Sequence, residues 1–384
     1  MIVRGLLAVL GAFLVLASGV SVVATVVVPR AFGSRLTGFA DWLVARVFLA
    51  LERLIRDPQR RDDVLAVRAA AILLMQLVVW LAAYLLGFAL LLLPFTDHGL
   101  GFTLTEAGSA MTTLGFSRPE NPVATALAVV AAFVSLATLA VQIGYLPTLY
   151  AAYNRRETSV ALLNSRAGVP TWGPELLART HYGLGSGVSY VDTLPDLYAE
   201  WERWAADVTE SHRTYLPLVY FRSHRALTSW VTALLGVLDS AALYLALCPS
   251  TVPTIRARLC LRSGFTCFTR VAQALGVPVP DEADPRDGIS LTYTEFEEGV
   301  ARLKKVDFPI EQEAEQAWPH FLGWRVNYER AAYAIAWTVS APPALWSGPR
   351  RSGASSVPPL RPPDNAPPRF PQSSPDQGSA GPDN

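Results

Sequence analysis

Three long segments without a charged residue constrain this chain more than any other feature of its sequence. They cover residues 5–28, 69–96 and 121–153. Each is longer than the roughly 20 residues that an α-helix needs to cross the hydrocarbon core of a bilayer. Because 51% of the chain is hydrophobic and only 17% is charged, its composition is also that of a membrane protein. The sequence therefore predicts an all-α protein with three transmembrane helices, whose first partner is the lipid bilayer.

The first apolar segment has two interpretations. With Arg4 as its basic n-region, it resembles a cleaved signal peptide. However, the uncharged run is much longer than the usual apolar region of about 7–15 residues, and Val26-Val27-Val28-Pro29 lacks the small residues of a cleavage site. We therefore predict an uncleaved transmembrane anchor over residues 1–28.

Residues 29–65 form a basic linker between the first two spans. Between Phe39 and Ile55 apolar residues recur at steps of three and four, and most charged residues fall elsewhere on the helical wheel. This pattern fits an amphipathic helix lying on the membrane surface. It fits equally well a soluble helix packed against its own protein, since periodicity alone does not separate the two.

The distribution of arginine predicts the orientation of the spans. Residues 29–67 contain seven arginines, whereas the gap at residues 97–120 contains only Arg118. Loops rich in Arg and Lys stay in the cytoplasm. We therefore expect a multi-pass protein of the cell (plasma) membrane, with the linker and residues 156–384 in the cytoplasm and the gap outside.

A short polar segment separates the second and third spans. Residues 102–111 are suited to a short helix with Thr105 as its N-cap, and the run Thr112-Thr113-Leu114-Gly115-Phe116-Ser117 follows. Irregular backbone at membrane depth is tolerated only where protein buries it or where it lines a watery cavity. Gly115 tolerates positive φ, and the C-terminal end of the short helix favours a cation beyond it. The competing interpretation is an ordinary hairpin loop.

This run resembles the potassium-channel signature Thr-Thr-Val-Gly-Tyr-Gly. The order of span, short helix, signature and span is similar to the pore module of bacterial and two-pore-domain potassium channels, and it covers residues 66–155. The resemblance implies a homotetramer with one loop per chain around a pore for potassium or another monovalent cation, without a cofactor. It implies an ion-coordinating filter of Thr113, Leu114, Gly115 and Phe116, with the Thr113 hydroxyl at its inner end. The flanking residues would be Thr112, Ser117 and Arg118.

Two residues depart from the pattern of that family. Ser117 stands where the family has a second glycine, and Arg118 stands where an acidic residue usually follows. Serine resists positive φ by about 1 kcal/mol or more, and four Arg118 side chains would repel cations unless Glu120 offsets them. A less selective pore and a non-conducting, vestigial module therefore remain open.

The third span contains two candidate hinge positions, Gly144 and Pro147. After it, residues 156–340 are predicted to form a cytoplasmic all-helical domain that regulates gating or assembly. Within this domain residues 230–247 are apolar enough for a fourth span, but Asp239 in their middle favours a buried helix instead.

The remaining features bear on partners and chemistry. Residues 341–384 contain twelve prolines, which predicts a disordered tail, either simply solvated or binding a cytoplasmic protein through its polyproline pieces. A net charge of zero gives no reason to expect nucleic-acid binding. No metal-ligand spacing and no nucleophile with a matching base is visible, so no enzymatic activity is expected. The alternative to a channel is a membrane-anchored scaffold or signalling protein.

Overall fold

The computed structural model describes residues 2–28, 34–55, 57–117, 119, 121–181, 193–250, 254–284, 286–351 and 353–360. Arg118 and the tail beyond residue 360 lie outside these ranges. Within them the chain forms thirteen α-helices: α1 (Ile2–Val22), α2 (Arg35–Leu54), α3 (Pro58–Ala66), α4 (Arg68–Leu92), α5 (Leu100–Met111), α6 (Pro122–Ala167), α7 (Gly173–His181), α8 (Leu194–Thr214), α9 (Trp230–Leu247), α10 (Thr254–Ala274), α11 (Tyr293–Lys304), α12 (Ala314–Arg325) and α13 (Glu329–Thr338). The predicted all-α class is confirmed.

Four helical segments in the described part of the chain are long and apolar enough to cross a membrane. They are Ile2–Val27, Arg60–Phe95, Pro122–Ala167 and Trp230–Leu247. The first three cover all but one terminal residue of each charge-free segment of the sequence, which supports a membrane protein. The fourth, α9, differs because 94% of it is buried inside the protein, against α7, α8, α10, α12 and α13. Protein contacts therefore account for its apolar composition.

Helix α4 is the centre of the membrane half, and it contacts α1, α2, α5 and α6. It lies closest to α1 where Gly11 meets Gly87: a Cβ atom built on Gly11 would lie 2.5 Å from the Gly87 carbonyl oxygen. Small residues permit such close approach of membrane helices. Nearby, Trp80 Nε1 donates a 2.9 Å hydrogen bond to Ser21 Oγ, which gives the buried indole its partner.

Helix α6 continues well beyond the predicted third span. Its 46 residues measure roughly 69 Å at 1.5 Å per residue, about twice the thickness of a hydrocarbon core. Neither Gly144 nor Pro147 ends the helix, which stops only at Gly168, where φ is 74°. Its last turns carry Val160, Leu163 and Ala167 into the core of the C-terminal half. The predicted domain boundary at residue 155 therefore falls inside one continuous helix.

The C-terminal half is a single helical core with a buried charged cluster. Arg325 and Asp239 are both almost inaccessible and form an ion pair. Arg325 also donates to Glu329 (2.6 Å) and to the carbonyl oxygen of Trp346 (2.6 Å). A buried charge is tolerated when it is paired and hydrogen-bonded. The cluster therefore explains how an aspartate fits in the middle of apolar α9.

The segment after α13 is ordered, so the predicted disordered tail began too early. Ala341, Ala344 and Trp346 are buried. The Arg350 guanidinium donates to the carbonyl oxygens of Ala341, Pro342 and Ser347. Composition failed here because a few anchors suffice to hold a proline-rich segment against a core, although its average composition is that of disorder. The prediction for residues 361–384 lies outside the described residues.

Candidate functional site

Helix α5 directly precedes the predicted filter run, residues 112–117, and makes hydrogen bonds to it. It begins after Gly99, and Thr105 is therefore not its N-cap but lies inside it, donating to the Gly101 carbonyl oxygen (3.0 Å). The helix packs between α4 and α6. Its C-terminal end is fixed to α6 because Ser135 Oγ donates a 2.7 Å hydrogen bond to the Met111 carbonyl oxygen. The short helix preceding the run is thus present, with an earlier start than predicted.

The sign of the backbone angle φ alternates along the filter run. Thr112 has φ of −84°, whereas Thr113 and Gly115 have φ of 58° and 68°, and Leu114 between them is not in the positive region. The prediction that Gly115 adopts positive φ is confirmed. Thr113 was not expected to do so, since a β-branched residue is strained there. Strained φ values concentrate at functional sites.

The backbone N–H groups of three residues in the run donate hydrogen bonds to α5. The N–H groups of Thr113 and Gly115 donate to the carbonyl oxygens of Ala110 (3.1 Å) and Ser109 (3.4 Å) at the end of α5. The N–H of Ser117 donates to Ser109 Oγ (3.0 Å). Alternate residues thus direct their N–H groups back into the protein, and the short helix holds them.

The carbonyl groups of the run differ from its N–H groups because they have no described hydrogen-bond partner. No described residue donates a hydrogen bond to the carbonyl oxygens of Thr113, Leu114, Gly115 or Phe116. The side chains of Leu114 and Phe116 are 72% and 62% exposed in the single chain. Neighbouring exposed apolar side chains mark interaction sites, and exposed carbonyl oxygens to which no described residue donates are available to a ligand or a neighbouring subunit.

A carboxyl group lies buried in the same module. Glu106 on α5 is only 3% exposed, and Thr103 and Ser109 on the same helix are also buried. Glutamate is almost never this deeply buried unless it has a partner, so the burial of Glu106 is unusual for its residue type. Sequence reasoning gave Glu106 no role beyond helix formation, since its burial depends on how α5 packs between two spans.

The ends of α4 and α6 beside the run are joined to each other. Asn121 caps α6 by accepting the N–H of Ala124 (2.9 Å), and its amide group donates to the Phe95 carbonyl oxygen after α4. The Arg4 guanidinium donates to the Thr96 carbonyl oxygen (2.6 Å). These contacts hold α1, α4 and α6 together around the loop.

A second region of interest connects the candidate spans with the helical domain, and we call it the junction. Its centre is the segment 215–224 between α8 and α9. Leu218 of this segment is buried among Leu73 of α4 and Tyr145 and Leu149 of α6. The fully buried Arg156 of α6 donates to the carbonyl oxygens of Leu218 (2.8 Å) and Phe221 (2.8 Å).

Further arginines complete the junction. Arg222 forms an ion pair with Asp62 of α3 (2.9 Å) and donates to the Ser340 carbonyl oxygen (2.8 Å). Arg68, at the start of α4, donates to the Thr338 carbonyl oxygen (3.3 Å). Charged side chains therefore bind α3, the start of α4 and the C-terminal part of α6 to the C-terminal half.

Two Ser-His-Arg tripeptides in the sequence, Ser211-His212-Arg213 and Ser223-His224-Arg225, each supply a histidine to the junction. His212 is completely buried, and its Nε2 accepts a hydrogen bond from Arg156 (3.0 Å). His224 Nδ1 lies 3.0 Å from the Tyr153 hydroxyl of α6. Contacts of this kind join residues more than fifty positions apart, so no local pattern indicates them.

Within the described residues, no group of three or more His, Cys, Asp or Glu side chains is arranged to hold a metal ion. The three cysteines, Cys248, Cys260 and Cys267, are free and buried. A scan against protein-family models and searches of curated proteins and of solved structures found no match to this chain. The candidate site is therefore defined by its geometry and by the residues that the sequence predicted.

Proposed function

We propose that the chain is a subunit of a tetrameric membrane pore that passes potassium or another monovalent cation. The observation that carries this proposal is the backbone of residues 113–117: the N–H groups of Thr113, Gly115 and Ser117 are bound to α5, and no described residue donates to the carbonyl oxygens of residues 113–116. Rings of backbone carbonyls replace the hydration shell of a cation in selective pores. Four copies of the run around one axis would provide such rings.

Ser117, at the end of the run, bears on the selectivity of the proposed pore and not on whether it conducts. The Ser117 N–H is held by Ser109 Oγ, so the outer end of the run has a support that does not require a second glycine. This support favours a pore whose outer site is less regular than its inner ones. A cation there would be coordinated by fewer carbonyls, and we therefore expect weak discrimination between potassium and sodium.

The helical domain is proposed to regulate this pore from the cytoplasm. Helix α6 runs without interruption from the outer cap at Asn121 to the core of the domain at Ala167. A rearrangement of the domain would therefore move the inner end of the span that also holds α5 through Ser135. In this topology the plasma membrane contains α1, α4 and α6, and residues 156–384 are cytoplasmic.

Cation flux through the purified full chain in liposomes tests the proposal. Gly115→Ala places a Cβ at φ of 68°, where an L-residue is strained, and it should abolish potassium efflux. Gly101→Ala is the matched control, because Gly101 lies on exposed helical backbone in α5 with no atom within 4 Å of the added Cβ, and it should leave efflux unchanged.

Stoichiometry provides the second measurement. A tetramer in mild detergent, with flux that depends on Gly115, would support the pore. A monomer or dimer would overturn it, since neither closes a four-fold ring, and would favour the membrane-anchored scaffold. Flux that ignores Gly115→Ala would show that ions do not pass these carbonyls.

A further inference from the structure

Helix α2 has two faces of opposite character. The face towards the protein contains Thr37, Ala40, Val44 and Phe48, which are buried, and it packs mainly on α4. Both acidic residues of the helix lie on this side: Glu52 is 8% exposed, and Asp41 accepts a 3.1 Å hydrogen bond from Gln76 of α4. Both carboxylates of α2 therefore lie on the side that faces the protein, and the opposite side of the helix has none.

The outer face of α2 is basic and aromatic. Its exposed residues are Arg35, Gly38, Phe39, Trp42, Arg46, Val47, Ala50, Arg53 and Leu54. The Phe39 and Trp42 rings are stacked with centroids 6.1 Å apart, and the Arg46 guanidinium lies 5.3 Å from the Trp42 ring centroid. No described acidic residue forms an ion pair with the three arginines. This face thus combines unpaired positive charge with exposed apolar area.

The position of α2 places this face beside the membrane. Ser34, the N-cap of α2, donates a 2.7 Å hydrogen bond to Ser21 Oγ of α1. Phe48 belongs to one buried cluster with Leu65 of α3 and Ile72 in the first turns of α4. The helix therefore lies along two candidate spans at the end that carries Arg68. Arginine and tryptophan are the residues that anchor helices at a membrane–water interface.

We propose that the outer face of α2 binds the anionic phospholipid headgroups of the leaflet at this end of the spans. Phosphate groups supply the negative charge that the face lacks, and acyl chains cover Phe39, Trp42 and Leu54. A second copy of this chain fits less well, because an isologous contact would bring six arginines together without a counter-charge. This inference does not depend on whether the pore conducts.

The binding surface has a physical consequence for the spans. Because Asp41 is tied to Gln76 and Phe48 to Ile72, a headgroup bound to Arg46 holds α2 against the first half of α4. Helix α4 is also the element on which α5 rests. Anionic lipid is thus expected to stabilise the packing of the membrane half, more than zwitterionic lipid does.

Site-specific labelling of the full chain in liposomes tests the location of the face. The native thiols are buried and free, and burial raises the pKa of each of them, so Val47→Cys introduces the one readily labelled thiol. We expect a nitrobenzoxadiazole group there to be quenched by nitroxide-labelled lipid. The same label at Ala301→Cys, an exposed position of α11 in the helical domain, should not be quenched. Equal quenching at both positions, or none at residue 47, overturns the proposal.

Lipid binding to the detergent-purified protein, measured by native mass spectrometry, tests the charge. Phosphatidylglycerol should bind more tightly than phosphatidylcholine. Replacing Arg35, Arg46 and Arg53 together by Gln should weaken this preference by about a hundredfold, since each basic residue near an anionic leaflet contributes about fivefold. The control replaces three exposed arginines of the helical domain, Arg203, Arg213 and Arg256. If both triple variants lose the same fraction of the preference, the charge effect is not specific to α2. If position 47 cross-links between copies in the membrane, a second subunit covers the face instead.

Discussion

At the scale of single residues, the filter run shows what residue type alone can predict. Gly115 was predicted to adopt positive φ because glycine alone has no Cβ penalty there, and it does. Thr113 adopts positive φ although its type argues against it. The bond from its N–H to Ala110 at the end of α5 (3.1 Å) holds it in place, and that bond depends on tertiary structure.

His212 is the residue whose chemistry the structure changes most. Burial, and next the positive charge of Arg156, lower its pKa well below the usual 6.5, so it stays neutral in the folded protein. The unfolded chain takes up a proton below about pH 6.5, whereas the folded chain does not. Stability is therefore complete above pH 6.5 and falls on acidification by roughly 1 kcal/mol per pH unit, until the folded-state pKa is reached.

Replacement of His212 by Gln tests this prediction, because an amide oxygen can still accept from Arg156 but does not titrate. Thermal unfolding followed by tryptophan fluorescence between pH 7 and pH 5 should show a weaker loss of stability for His212→Gln than for the native chain. His320→Gln is the matched control, since His320 is exposed and should leave the pH profile unchanged. An unchanged profile for both variants would mean that His212 is protonated in the folded state.

At the scale of helices, the absence of charge located the spans but not their limits. The segments 5–28, 69–96 and 121–153 all lie in long helices. The charge-free criterion did not predict that α6 continues to Ala167. Residues 154–167 contain charged residues, and they are polar on one side of the helix and apolar on the other. Val160 and Leu163 face a core that belongs to distant parts of the sequence. Helix length beyond the bilayer is thus set by tertiary contacts.

The crossing of α1 and α4 gives a prediction at this scale. Gly11→Ala would place a Cβ 2.5 Å from the Gly87 carbonyl oxygen and 2.9 Å from the backbone N of Leu91. Backbone atoms cannot move aside like a flexible side chain, so the two helices must separate. We expect a loss of stability of about 1–3 kcal/mol, measured as a lower unfolding temperature in detergent.

Gly5→Ala is the control for this crossing because it makes the same change in the same helix. No atom lies within 4 Å of a Cβ at Gly5. Alanine favours the helix over glycine by about 1 kcal/mol at either position, so Gly5→Ala should be neutral or stabilising. Equal shifts for the two variants would show that α1 does not approach α4 as closely as Gly11 and Gly87 indicate.

At the scale of the whole molecule, the chain has an apolar membrane half and a helical core, joined by α6 and by the junction. Sequence reasoning recognised both halves from their composition. It gave no sign of the junction, whose contacts join α3, α4 and α6 to segment 215–224 and to the end of α13. Arginine is suited to this role because one guanidinium donates to several carbonyl oxygens at once.

The ion pair between Arg222 and Asp62 tests whether the junction couples the two halves. The pair is largely shielded from water, with side-chain exposures of 12% and 24%, and solvent therefore screens it only in part. A double-mutant cycle with Arg222→Gln and Asp62→Asn should give a coupling energy of about 1–2 kcal/mol in thermal unfolding of the full chain. If the domain regulates the pore, the same variants should also change the cation flux.

The pair between Arg155 and Asp207 is the control for that cycle. It has a similar separation, 3.1 Å against 2.9 Å, and it also joins α6 to the helical domain, but its side chains are 59% and 42% exposed. Exposed pairs contribute little after solvent screening, so its coupling energy should be about 0.5 kcal/mol or less. Similar coupling in both cycles would mean that any charge pair between the halves has the same effect. A large value for the junction pair alone would show that the contact between α3 and the segment 215–224 contributes specifically to the stability of the whole chain.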